Sequence, residues 1–182
     1  MRKVGVSLVV AAIASAGSAW AADYPKPYES KYEMTMAGAG TQQIHYMSDG
    51  KGHVRTETTN DKGETTFVLM DYPQHTLTTA MNMNGQNRYM KSPLPDYQEG
   101  EPIKQDAKDL GTKVIDNHQC HGYEKTYKNG QASQIWIEDK TDHTIMTETV
   151  GPEQKTISTL KLWVDKAPTF TMNLPSDYKP YP

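Results

Sequence analysis

Residues 53–71 read HVRTETT, NDKG, ETTFVLMD: two runs of β-forming residues around a four-residue turn, and this reading decides the fold. His53–Thr59 and Glu64–Asp71 read as strands because Val, Thr and Phe favour extended backbone. Asn60-Asp61-Lys62-Gly63 turns the chain because Asn, Asp and Gly tolerate positive φ. Working outward, the same unit recurs. Asp49-Gly50-Lys51-Gly52, Asn84-Gly85 and Asn129-Gly130 are hairpin-type turns, and Thr41–Ser48, Thr76–Met83 and Gln86–Lys91 read as strands beside them.

The middle differs. Ser92–Pro102 holds Pro93, Pro95 and Pro102 and reads as an irregular excursion. Ile103–Leu110 has no turn signal and is expected as a short helix closed by Gly111. Strands then resume at Thr112–Ile115, Gly122–Tyr127, Gln131–Glu138, His143–Val150, Thr156–Val164 and Thr169–Asn173, with a turn at Asp116-Asn117-His118. Short connections predict an antiparallel meander of roughly ten strands. The fold class is all-β, or β-dominated α+β: a curved antiparallel sheet with one or two short helices. The ends, Tyr24–Tyr28 and Tyr178–Pro182, read as loose polyproline-like tails.

The first residues are of another kind. Arg2 and Lys3 precede the apolar run Val4–Ile13, and Ala19-Trp20-Ala21 offers an A-x-A cleavage site, the three parts of a secretory signal peptide. Cleavage after Ala21 takes the chain from 182 residues to 161, one domain spanning residues 22–182. It also lowers the basic count from 19 to 17 against 22 acidic residues. No Lys/Arg cluster stands out against that acidic balance, which argues against nucleic acid. The mature chain carries no apolar stretch long enough for a transmembrane helix. The expected location is the periplasm or the exterior. One cysteine, Cys120, cannot form a disulfide within the chain, so stability must come from the core, which has only two Phe.

Catalytic constellations do not emerge. There is no G-x-S-x-G elbow, and Glu138-Asp139 reads as a solvated pair beside a turn. His118-Gln119-Cys120-His121 gathers three ligand-type side chains, but a strand turns 118 and 120 to one face and 121 to the other. A turn with a buried thiol and two exposed imidazoles is preferred, with no metal and no cofactor. The methionines invite copper, since thioethers select Cu(I). Their dispersal, one or two per strand, reads first as core and second as an adaptable pocket lining. Trp136 and Trp163 each stand between aliphatics that point the other way, so each presents a ring to one face.

The order of elements carries a family likeness. DGKGHVRTET at 49–58 is followed by LGTKVIDNHQCHGYEKTY at 110–127, QIWIEDKTDHTIMTETV at 134–150 and FTMNLPSDYKPY at 170–181. This succession resembles the LolA/LolB-like superfamily of periplasmic lipoprotein-handling proteins and the exported domains related to it. The resemblance implies an incomplete barrel whose concave face is apolar and holds acyl chains, closed by helical segments. The sequence departs from the carriers in two ways: it is short of the amphipathic helices that form their lid, and it has no obvious basic strand for docking an anionic lipid or a partner.

These readings give an expectation of a non-enzymatic periplasmic protein that binds a hydrophobic small molecule or acyl chain, or assists envelope lipid or lipoprotein handling. Two alternatives stay open: a copper-handling protein using Met and His, and an interaction module filled by its own side chains. The expected ligand-binding residues are Met34 and Met36 on one strand, Met81 and Met83 on another, and Leu160, Leu162 and Val164 on a third. The period of two gives each group a common face.

Overall fold

The computed structural model describes residues 24–38, 40–95, 107–127, 130–151 and 155–181. The signal-peptide reading of residues 1–21 and most of the expected lid helix lie outside them. Among the described residues there is no helix; twelve strands form one sheet. They are β1 (Tyr28–Met36), β2 (Gly40–Ser48), β3 (His53–Asn60), β4 (Thr65–Asp71), β5 (Thr76–Met83), β6 (Gln86–Pro93), β7 (Lys108–Ile115), β8 (His118–Thr126), β9 (Ala132–Glu138), β10 (Thr144–Val150), β11 (Lys155–Val164) and β12 (Lys179–Pro180).

The strand order is β12-β6-β5-β4-β3-β2-β1-β11-β10-β9-β8-β7. The expected single meander is therefore two. One runs outward from the centre, β1 to β6; the other runs inward from the far edge, β7 to β11, and docks antiparallel on β1. The curved sheet does not close: β7 is left at one edge, and β12 pairs parallel with β6 at the other. Tight turns fix the register within each meander. Asn84 and Gly85 both have positive φ (54° and 78°), as do Asp116 and Asn117 (48° and 68°), the geometry that matches the twist of paired strands.

Three expectations fail at the edges. The helix expected over Ile103–Leu110 meets β7, which begins at Lys108. Gly111 (φ +75°) does not end a helix but adjoins Leu110 in a bulge that breaks the pairing with β8 between Asp109 and Gly111. Thr169–Asn173 is not a strand: residues 168–175 run as an irregular strap. Nor are Tyr178–Pro180 a loose tail. The Tyr178 ring stands edge-on to Phe67 at 5.6 Å, its hydroxyl donates to the Thr65 carbonyl at 3.0 Å, and Lys179 and Pro180 form β12.

The core forms two clusters that meet at Leu160. Tyr32, Met34 and Ile44 form one buried cluster, with Met36, Tyr46 and Leu160 against it. Cys120, Trp136 and Ile145 form another, with Leu110, Ile115, Met146 and Leu160 around it. Ile145 is left unpaired by a bulge between Thr144 and Met146, which turns it into that cluster.

Candidate functional site

Cross-strand partners share a face, so the register sorts every side chain of β1–β6. Row by row, Tyr32 faces Ile44, which faces Thr58, and Tyr46 faces Thr56, which faces Val68 and then Thr79. On the other face Lys31 stands beside His45, Glu57 and Phe67, and Met47 stands beside Arg55, Leu69 and Thr78. Charge is segregated by this pairing. Glu29, Lys31, Glu33, His45, His53, Arg55, Glu57, Asp71 and Lys91 all fall on the Arg55 face. The Tyr32 face of the same six strands carries aliphatic, aromatic, thioether, hydroxyl and amide groups, with Arg88 its only charge.

The centre of the Arg55 face of β3–β5 is covered. Arg55, 8% exposed, donates through Nε to Glu57 at 2.6 Å and through Nη1 to the carbonyls of Thr171 and Asn173 at 2.8 and 3.0 Å. Its guanidinium lies 4.9 Å from the Phe67 ring centre, and Tyr178 closes the other side of that ring. The side chains that hold residues 171–178, Arg55, Phe67 and Asn87, sit on this face, while Arg88 on the other face holds Pro180. A cavity of about 330 Å³ remains between the strap residues Pro168, Thr169, Phe170 and Met172 and the hairpin residues Asp49 and His53. Its polar wall is already engaged: Asp49 accepts the Lys51 and His53 amides and the His53 ring.

The Tyr32 face is held differently. Tyr32 is 1% exposed, and its hydroxyl donates to the Thr144 carbonyl at 3.1 Å, two strands away on β10. A tyrosine spans two strand spacings only where the sheet bends toward its face. Tyr46 meets Tyr32 edge-on at 5.9 Å, and burial pushes the Tyr46 phenol up to about 12. Tyr28 stacks on Trp163 at 5.1 Å on the same face. Away from this centre, Thr56, Thr58, Val68, Leu77 and Met81 are half-buried.

The predicted residues divide. Met34 is buried against Tyr32 and Ile44, and Met36 flanks them. Met81 and Met83 share that face, but they sit on β5, with β2, β3 and β4 between them and β1. The two methionine pairs therefore line one surface without converging as a ligand set. Leu160 stands opposite Tyr32, on the same face. Leu162 and Val164 do not join it. A register shift between Lys31 and Tyr32 sets Leu162 opposite Lys31 and Val164 opposite Glu29, on the charged face, where each is 38% exposed. The bulge breaks the period of two on which a common face depended.

His118, Cys120 and His121 also divide as a strand requires. His118 pairs with Glu138 and His121 with Asp109, each at 2.8 Å, on opposite faces of β8. Cys120 is fully buried, its thiol 3.4 Å from the His118 carbonyl; burial, then the nearby Glu138 and Asp139, pushes it up. The residues that sequence reading missed are Arg55 and Arg88. Both lie in strands and look like solvated charges until the partners of each face are known.

No family model matches the chain, and no curated protein matches it. Solved structures do. An uncharacterized conserved protein from Thermus thermophilus superposes with a TM-score of 0.60 at 10% identity, over 86% of this chain and 91% of that one. MucB superposes with a TM-score of 0.54 at 12% identity, over 86% of this chain and 60% of that one. A LolA superfamily protein from Nitrosomonas europaea matches with a TM-score of 0.37 at 10% identity, over 82% of this chain and 90% of that one. No described helix is long and apolar enough to cross a membrane. The chain is thus an open, curved antiparallel half-barrel, similar in fold to the Thermus protein and to MucB.

Proposed function

We propose that this chain is an exported, non-enzymatic protein that binds the apolar part of an amphiphile, such as an acyl chain, on its Tyr32 face in the cell envelope. One observation carries the reading: across β1–β6 every charged side chain but one is turned to the opposite face. A merely solvated face has no reason to exclude Lys and Glu, because charges there cost little and aid solubility. A face that must desolvate against hydrocarbon does, since burying an unpaired charge is costly. Apolar patches of several hundred Å² are roughly the most a soluble monomer leaves bare. Half-buried threonines between the apolar positions suit such a face, because each adds a methyl group as well as its hydroxyl.

The test is a titration with a fluorescent fatty acid. Saturable binding is expected. Thr58→Glu, which sets a charge on the half-buried centre of the Tyr32 face, is expected to weaken binding about tenfold or more. Leu162→Gln, on the opposite face, is expected to leave it unchanged. Absence of saturable binding by the folded protein, or equal effects of the two substitutions, would overturn the reading.

A further inference from the structure

Arg88 is the exception on the Tyr32 face. It stands on β6 opposite Met81, beside the row of Thr66, Thr58, Ile44 and Tyr32 that ends at Leu160. Its partners are neutral. Nε and Nη2 donate to Gln86 Oε1 at 3.2 and 2.6 Å, and Nη1 donates to the Pro180 carbonyl at 3.2 Å. A guanidinium has five N–H donors and does not lose its charge in proteins. One N–H on Nη1 and one on Nη2 are therefore left without an acceptor among the described residues, and none of the ion pairs there involves Arg88. Arg55 is the contrast, since its charge is met by Glu57 at 2.6 Å.

A lone cation at the margin of an otherwise uncharged surface, with two donors free on its terminal nitrogens, matches a carboxylate. We infer that the Tyr32 face selects amphiphiles with an anionic head, specifically long-chain carboxylic acids, the carboxylate on Arg88 and the chain along the row toward Tyr32. From β6 to β3 there are three strand spacings, roughly 14 Å along the sheet, over which the half-buried Met81, Thr66 and Thr58 offer the chain a surface before the row reaches the buried Ile44 and Tyr32. The inference rests on the proposed binding of acyl chains to this face and names the head group that goes with them.

Palmitic acid and methyl palmitate, competing against a fluorescent acyl probe on the full mature chain, test it. Palmitic acid is expected to compete about tenfold more tightly than the ester, the increment of a charge-assisted hydrogen bond. Arg88→Gln is expected to bring palmitic acid down to the ester's affinity and leave the ester unchanged, while Arg88→Lys keeps part of the preference. A circular dichroism melt of each variant reports whether it folds; should Arg88→Gln fail to fold, the acid-to-ester ratio of the unmodified protein still decides. Equal affinity for acid and ester overturns the head-group assignment and leaves acyl binding standing. A preference that survives in folded Arg88→Gln does the same. If the probe itself does not bind, both readings fall.

Discussion

The two arms of the sheet each bury a patch of the face opposite Tyr32, and they do it by different means. On β3–β6 the cover is remote: a strap from residues 168–181, tied by directional bonds from Arg55 to the Thr171 and Asn173 carbonyls and from the Tyr178 hydroxyl to Thr65. On β7–β10 the cover is local. Trp136 lies over Gly122 on the neighbouring strand, Lys113 sits 3.6 Å above its ring, and Cys120 and Ile145 fill in beside it. A half-barrel of one layer thus needs a second covering for each arm. A long-range strap can be released without dismantling the strands beneath it, whereas a side-chain cluster cannot.

The largest expected effect tests the strap. Arg55→Ala removes a buried cation and leaves two carbonyls and a carboxylate without their donor, a loss of about 3 kcal/mol. Urea denaturation measures it, and a loss below about 1 kcal/mol would mean that the strap is held by something else. In the same variant, labelling of Cys120 by a thiol reagent under native conditions is expected to stay as slow as in the unmodified protein, because that cysteine belongs to the other arm. Fast labelling would show that the arms open together.

Next in size is Gly122→Ala. A Cβ at Gly122 would lie 2.6 Å from Trp136 Cζ3, so the buried indole must shift. The expected cost is about 2 kcal/mol, with Cys120 labelling accelerated and the strap unaffected. Tryptophan fluorescence and thiol labelling read the two arms separately. An unchanged labelling rate would sink the account of local cover.

Tyr178→Phe keeps the ring on Phe67 and deletes one hydrogen bond, so about 1 kcal/mol is expected. It sharpens the first experiment: a double-mutant cycle with Arg55→Ala is expected to show coupling, since both act through the same strap and the same Phe67 ring.

The smallest effect is one of pH. Burial raises Asp49, but the Lys51 amide and the His53 ring and amide outweigh it and hold the carboxyl below its ordinary value. Glu138 is held low by the Thr141 hydroxyl first and the His118 ring second. A depressed carboxylate contributes stability that is present above its ordinary titration range and is lost as pH falls through its folded value. The urea midpoint is therefore expected to decline in acid below about pH 4. Asp49→Asn and Glu138→Gln are each expected to flatten part of that decline, the first on the strapped arm and the second on the other. A midpoint independent of pH over that range would refute the assignment.

Much of this was legible in the residues. Runs such as Phe67-Val68-Leu69-Met70 and the Asn84-Gly85 turn identify strands and hairpins because β-propensity and positive φ are local properties. Cys120 is the buried thiol expected, but not in a turn: His118–His121 open β8, and both imidazoles are half-buried against carboxylates, on opposite faces because a strand alternates whatever lies beyond it. The segregation of charge was written in β1–β6 as well, but it becomes a face only when each strand is paired with its neighbour.

The class of element, most of the turns and the alternation within each strand follow from interactions between residues close in the chain. Tertiary structure alone decided three things. It put β1 at the centre, docked on β11 from more than a hundred residues away. It set a bulge opposite Lys31 and Tyr32 that sends Leu162 and Val164 to the charged face while Leu160 stays with Tyr32. And it gave Arg55 its carbonyls at a separation of 116 and 118 residues, while leaving Arg88 with neutral partners only. Such outcomes depend on which distant segments meet, and a register shift of one residue reverses the face of everything beyond it.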